Sequence, residues 1–307
     1  MFNLFRSDVY RTVRSPFFWV ITAIAVVLML GAAGMMSWIS SPQFTQMIEV
    51  SVGEEGMRGL PAEQQAAVQA DLDASLAELE SLHAKKLDSV TGMWAGAFLD
   101  GGFLGLLGSL FVALYLLADF KKGFVKNLPM DRRGRLRYYA EKVVFVAATQ
   151  AFFLLACAAA SAASYALFGF TYEHTDSAGG MALWLLLAWL ICTAYALLVA
   201  CLCWAFRNEA VSAVAAAAVS SGIVGAFVTQ LLLYAGKAVP VLGAVPQWLP
   251  VSAFANLRPG AESLGATNAD YFFAQMPAWG HAAMVTLLAS AVMCVIVFAA
   301  CRRKDIA

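Results

Sequence analysis

The chain has 307 residues, of which 61% are hydrophobic and 13% charged, with no net charge and a mean hydropathy of +0.72. Soluble domains are nearer half apolar and a quarter charged, so the composition is that of a membrane protein. Zero net charge gives no sign of nucleic-acid binding, and the placement of the charges is more informative than their sum.

Residues 1–15 read as an interfacial amphipathic helix. Phe2, Phe5, Val9 and Val13 recur at helical spacing, while Asp8, Arg11 and Arg14 turn away from them, a basic side for anionic headgroups. The apolar run that follows is too long for a cleaved signal peptide, and no clean cleavage site closes it. Span 1 is placed at 17–39, with Trp19 and Trp38 near its ends as interfacial aromatics. Residues 40–91 form an extracellular helical region. Within it, Pro61–Val90 carries a helical stripe of Val68, Leu72, Leu76, Leu79, Leu87 and Val90. His83 interrupts that stripe with no second ligand beside it.

Span 2 is placed at 93–118, with Asp100 near the outer edge of the hydrocarbon. Ala97, Gly101, Gly105 and Ser109 make a stripe of small residues that allows close helix approach. Residues 119–142 form a basic loop holding eight Lys/Arg against Asp119, Asp131 and Glu141. Span 3 runs over 143–170. The short outer loop after it, with Glu173, His174 and Asp176, matches no usual metal-ligand spacing and reads as solvated.

Span 4 is at 181–206 and span 5 at 210–235, joined by a tight hairpin. Ala213, Ala217, Ser221, Gly225 and Thr229 form a second small stripe, and Ser220-Ser221-Gly222 is a place where the helix can bend. Residues 236–277 hold Pro240, Pro246 and Pro250 and are too broken to span; a re-entrant or interfacial hairpin before the last span fits them. Span 6 is at 278–301, stopped by Arg302, Arg303 and Lys304 in the tail at 302–307. The expected fold is therefore an all-α polytopic membrane protein with six transmembrane helices. All six cysteines lie in apolar runs, which excludes a disulfide framework in the outer loops.

Charge sets the orientation. With both termini cytoplasmic, fifteen of the twenty Lys/Arg face inward and only Arg58, Lys85, Lys86, Lys237 and Arg258 face out. The basic loop then lies in the cytosol of a multi-pass protein, as expected for a bacterial cytoplasmic (inner) membrane.

No phosphate-binding loop, GxSxG or HExxH motif is present, so the chain is expected to be no enzyme. No span carries Lys, Arg or Glu at mid-depth, where proton- or ion-coupled transporters usually keep one. A self-powered transporter is therefore disfavoured, and a neutral interior suits an amphipathic or apolar cargo.

The basic loop resembles that of the membrane subunit of type-2 ABC exporters, the bacterial permeases that partner a separate ATPase. Asp119, Phe120, Gly123, Lys126, Asn127 and Leu128 follow the pattern D-F-x-x-G-T-x-K-N-L; Pro129-Met130-Asp131-Arg132 stands for its Pro-containing turn and Lys142 for the closing lysine. Phe124 and Asp131 depart from the usual Thr and Ser. The N-terminal helix, the six spans and the broken outer segment extend the likeness over most of the chain. A large first outer region is seen in relatives of the bacitracin- and lantibiotic-resistance group.

This resemblance implies a partnership: two permeases, identical or homologous, and two ATPase subunits that bind ATP and magnesium, with no cofactor in this chain. It implies an ATPase-coupling contact at Asp119, Gly123, Lys126, Asn127, Leu128, Pro129, Met130, Arg132 and Arg133. Leu128, Pro129 and Met130 would be its apolar tip, with flanking cations meeting acids or lipid headgroups. It also implies a path or dimer interface along spans 2 and 5, at Gly101, Gly105 and Ser109, and at Ala217, Ser221, Gly225 and Thr229. The cargo would be an antimicrobial peptide, drug or lipid. The alternative is a polytopic sensor or scaffold whose extracellular helical region binds a peptide and signals inward without transport.

Overall fold

The computed structural model describes residues 2–50, 61, 64, 67–71, 73, 75–76, 83–99, 102–121, 132–206, 208–267 and 276–303. It begins with helix α1 (Phe2–Arg14) and helix α2 (Pro16–Ile39), separated by Ser15 alone. Pro16 starts α2 well because its missing N–H falls where no intrahelical partner exists. Phe18, Ile21, Ala25, Met29 and Ala33 are the buried line of α2, and the other faces are open. Helix α3 (Pro42–Val50) follows.

The stripe read over Pro61–Val90 stops short of its predicted end. Residues 83–84 form a turn, Lys85 takes a left-handed backbone at φ 49°, and Lys86–Leu87 is a strand, β1. Leu87 therefore packs from a strand, and Val90 opens a different helix, α4 (Val90–Trp94). Val68 and Leu76 are helical; Leu72 and Leu79 lie outside the described residues.

Span 2 is a bent pair. α4 runs into a π-helical turn, Ala95–Leu99, and the chain resumes as α5 (Phe103–Lys121) at 51° to it. Helix α6 (Arg132–Leu167) is longer than expected: nearly half of the basic loop, from Arg132 to Lys142, is its first three turns. Nothing between Arg132 and Lys142 breaks a helix except Gly134, which a helix interior tolerates at about 1 kcal/mol.

Strand β2 (Thr171–Tyr172) pairs in parallel with β1, and Lys85 Nζ donates to Ser37 Oγ (2.8 Å) and Phe168 O (2.9 Å) behind it. The outer loop is thus only partly solvated. Asp176 is buried and accepts from Thr91 N and Thr91 Oγ1, both at 2.9 Å, satisfying the start of α4.

Helix α7 (Ala178–Phe206) is the central pillar and packs against α5 and α6. Trp184 in it is fully buried and donates to Leu257 O at 2.9 Å. Span 5 is also bent: α8 (Glu209–Ser220) and α9 (Ile223–Gly236) meet at 62°, at the predicted Ser220-Ser221-Gly222. Asn208 caps α8, accepting from Ala210 N and Val211 N. The segment after it is helical in short pieces: α10 (Pro240–Ala244), a 3-10 turn over Val245–Trp248, and α11 (Pro250–Leu257). α11 buries Ala253 and Leu257 and packs against α7 and the last helix, α12 (Ala278–Arg303).

Among the described residues, four helices are long and apolar enough to cross a membrane, and six segments are if each bent pair counts as one. The chain is therefore a helical, membrane-embedded protein. The cysteines at 157, 192, 201, 203 and 294 are free thiols.

The two bends touch. Gly102 has φ +71°, and a Cβ there would overlap the Ser220 carbonyl oxygen. Gly102→Ala meets both the left-handed penalty and that overlap, so a loss of about 2 kcal/mol or more is expected as a lowered thermal midpoint in detergent. A midpoint equal to wild type would show that the two bends do not press on each other.

At the clasp that paired β1 and β2 form, His174 Nδ1 lies 2.9 Å from Asp88 Oδ1. The hydrogen bond to Asp88, helped by the charge of Glu262, raises the His174 pKa above 6.5. A raised folded value means that the pair stabilises fully below the unfolded pKa and is lost as pH rises through the folded one. Asp88→Asn is expected to lower the His174 titration midpoint read by NMR. An unmoved midpoint would remove the pair from the clasp.

Candidate functional site: a buried ionic cluster at the foot of the basic loop

Polar side chains converge where α1, the end of α5 and the start of α6 meet. Asp8, Asp119, Glu141 and Lys142 are all at least 99% buried. Lys142 Nζ donates to Asp8 Oδ2. It also lies 2.7 Å from Asp119 Oδ2, a charge contact at hydrogen-bond distance but off its axis, and 3.8 Å from Glu141 Oε2. Arg11 closes the ring, donating from Nη2 to Asp119 Oδ1 at 2.7 Å and from Nη1 to Asp8 Oδ1 at 3.3 Å. Burial alone would lower the Arg11 pKa, but the hydrogen bond and charge of Asp119 outweigh it, so the guanidinium stays cationic.

Aromatic rings seal the cluster. Lys142 Nζ sits 5.3 Å from the Tyr115 ring centroid and 5.2 Å from that of Tyr138. Above it, Phe18, Phe111 and Phe153 pack edge to face or tilted, and Tyr115 stacks on Phe145 with centroids 4.7 Å apart. With water excluded, each charge depends on its protein partners.

Two expectations change here. Asp8 and Arg11 belong to the face of α1 that meets the protein, whereas Val9 and Val13 are exposed on its other side. An amphipathic helix can turn its polar face toward headgroups or toward a polar partner; the buried Lys142 is that partner. Asp119, expected at the ATPase-coupling contact, is fully buried and offers no surface. It holds Lys142 from behind. Thus the two ends of the basic loop are tied to each other, and α1 is tied to both.

The rest of the coupling contact is not assessed by the fold. Gly123, Lys126, Asn127, Leu128, Pro129 and Met130 lie outside the described residues. Arg132 and Arg133 are in the first turn of α6, and their side chains also lie outside them.

The small stripes are placed as follows. Gly105 and Ser109 are buried, with Gly105 against Ser220 of α8, so they form contacts within one chain. Gly101 and Asp100 lie outside the described residues. Ser212, Ala216, Val219 and Ser220 are the buried side of α8, one residue off the predicted stripe, and Ala217 is exposed. Past the bend, Ser221 and Thr229 are half-buried. Gly225 borders an apolar cavity of about 160 Å³ with Tyr195, Val219, Val251 and Met293. No simple signal pointed to Gln150, a fully buried amide pressed on Gly108, whose side-chain atoms make no hydrogen bond among the described residues.

Comparison with models of known families, with curated proteins and with solved structures yields no match. The geometry therefore carries the functional argument.

Lys142→Met would leave the buried Asp8 and Asp119 facing Arg11 alone. Breaking a buried ion pair from one side costs about 3–5 kcal/mol, so a marked fall in the thermal midpoint in detergent is expected. Lys142→Arg, which keeps the charge, should lose less. If both variants melt like wild type, the cluster does not fasten these helices.

Proposed function

We propose that the chain is the permease subunit of an ATP-driven exporter, working as a pair with two ATPase subunits on the side where α1 lies. One observation carries the reading: Asp119 and Lys142, the first and last residues of the exporter-like loop pattern, form an ion pair at 2.7 Å. A loop used to receive force needs a stiff base, because a floppy one would absorb the displacement. The ion pair ties the loop's two ends together, and Asp8 and Arg11 fasten α1 to the same base. A loop that served only to fix topology would require neither.

Two further features support this reading. The membrane-depth interior holds no lysine, arginine or glutamate at mid-span, so no side chain supplies ion coupling there. The cavity beside Gly225 is lined by apolar and aromatic side chains, which suits an amphipathic or lipophilic cargo. In this proposal six spans place both termini in the cytosol, by the excess of Lys/Arg on that side.

Purification of the intact assembly from cells that express the neighbouring genes is expected to bring down an ATPase. Leu128→Asp combined with Arg132→Glu should reduce its recovery, or its substrate-stimulated ATP hydrolysis, by about tenfold while insertion is unchanged. Recovery without any ATPase, or turnover unaffected by the double substitution, would remove the proposal.

A further inference from the structure

The elbow between α1 and α2 encloses a hollow that the ionic cluster does not use. It has a volume of about 520 Å³ and is bounded by α1, the first turn of α2 and one side of α5. Its size is that of a small-ligand site. The two ends of the hollow differ in chemistry.

One end is cationic. Arg14 is exposed and rests on the Tyr10 ring, 4.3 Å from its centroid; among the described residues it makes no ion pair. Arg11, whose side chain is partly exposed, lines the same end. The carboxylates that hold Arg11, Asp8 and Asp119, are buried behind it, and among the described residues no acid lines the hollow. Ser15 also borders it, and its hydroxyl does not cap α2. The other end is apolar, formed by Phe17, Phe111 and Leu114. Phe17 is itself 38% exposed on the open face of α2, so this end continues into the surface that hydrocarbon covers.

A site with guanidiniums at the bilayer edge and an apolar floor leading inward has the polarity of a phospholipid. We infer that this elbow binds one anionic phospholipid, its phosphate at Arg14 and Arg11 and an acyl chain along Phe17, Phe111 and Leu114. A soluble phosphate would use the cations and leave the apolar end without a role. Basic pockets between helices at a membrane surface recognise lipid headgroups by this combination. A second hollow on the opposite flank of α1 makes an internal comparison. It has about 260 Å³ among Val13, Trp19, Phe145 and Phe152 and no charged lining among the described residues, so it should not select a headgroup.

The inference requires membrane embedding and not the exporter reading, so the two can fail separately. The test uses the full-length protein in nanodiscs of mixed phosphatidylglycerol and phosphatidylcholine, with association read from spin-labelled lipids. One arginine near a membrane surface contributes about 1 kcal/mol, so phosphatidylglycerol should be preferred about fivefold. Arg14→Glu should bring that preference to parity. Arg14 is exposed and makes no ion pair among the described residues, so Arg14→Gln provides a mild second variant and should give an intermediate value. Leu114→Trp, which fills the apolar end, should also reduce the preference. Equal binding of the two lipids by wild type would overturn the inference. So would a preference that survives all three variants, which would place the lipid elsewhere. Displacement of phosphatidylglycerol by millimolar inorganic phosphate would also overturn it, because it would assign the elbow to a soluble anion.

Discussion

A lysine ammonium cannot be dried inside a protein unless carboxylates replace its water, and Lys142 has Asp8 and Asp119 in contact, with the Glu141 carboxyl group 3.8 Å away. The effective penalty for dehydrating an ion inside a protein is several kcal/mol, so the partners cannot be optional. They come from three separate places: Asp8 from α1, Asp119 from the end of α5, and Glu141 from α6 itself. Arg11 then balances the carboxylates that one lysine cannot. Because each ion depends on the others, α1, α5 and α6 hold their places jointly. That arrangement explains why a thirteen-residue helix with an exposed apolar side stays docked at all. Val9 and Val13 stay exposed on its apolar side, and Asp8 and Arg11 are held by the ionic cluster on the other.

The same dependence organises what lies further into the membrane. α6 is held at its first turns by ions and at its far end by the clasp of β1 on β2 and by Lys85 on Phe168. α7 lies against it with most of its length buried. Spans 2 and 5, by contrast, are both bent, and they are bent where they touch. Gly102 lies against the Ser220 carbonyl, and each bend leaves backbone groups that only a close neighbour or a hydroxyl can accommodate. Small residues make that approach possible, so the stripes read in the sequence have a reason. Their role is first to let two broken helices cross. Beyond the crossing, α9 has no buried residue, and Val224, Phe227, Leu231 and Tyr234 face outward.

Long apolar runs were readable because nothing else in a protein needs twenty of them, and the boundaries of α2, α7 and α12 fall within three residues of those expected. The Ser220–Gly222 bend was readable too, since hydroxyls and a glycine together weaken a helix. The readings that changed share a cause. Periodicity shows that a helix has two faces and does not say which face meets protein. On α1 the polar face won, because Lys142 was waiting 134 residues away for Asp8. On α8 the stripe was one residue out of register, because alanine occupies nearly every position there and the pattern carries little information. Leu87 and Val90 fitted a helical stripe by spacing alone, yet Lys86–Leu87 finds its partner in Thr171–Tyr172, far along the chain. Asp119 was singled out from its loop pattern alone, and its partners Arg11 and Lys142 lie too far along the chain for that pattern to show them.

The position of the charges also constrains any motion that the molecule makes. At mid-depth the interior is neutral, so sliding one helix there breaks only dispersion contacts and weak hydrogen bonds. At the foot of the basic loop a displacement of one helix by even 2 Å would separate dry ions, each worth several kcal/mol in its place. Helices α1, α5 and α6 should therefore move as one piece at that end, and the bends of spans 2 and 5 are where the remainder can yield. On the proposed reading, force that arrives at the loop enters a stiff three-helix base and is released at the paired breaks near Gly102 and Gly222. The order follows from energetics alone: strong, dehydrated contacts transmit a displacement, and left-handed glycines at a crossing of small residues are where the chain gives.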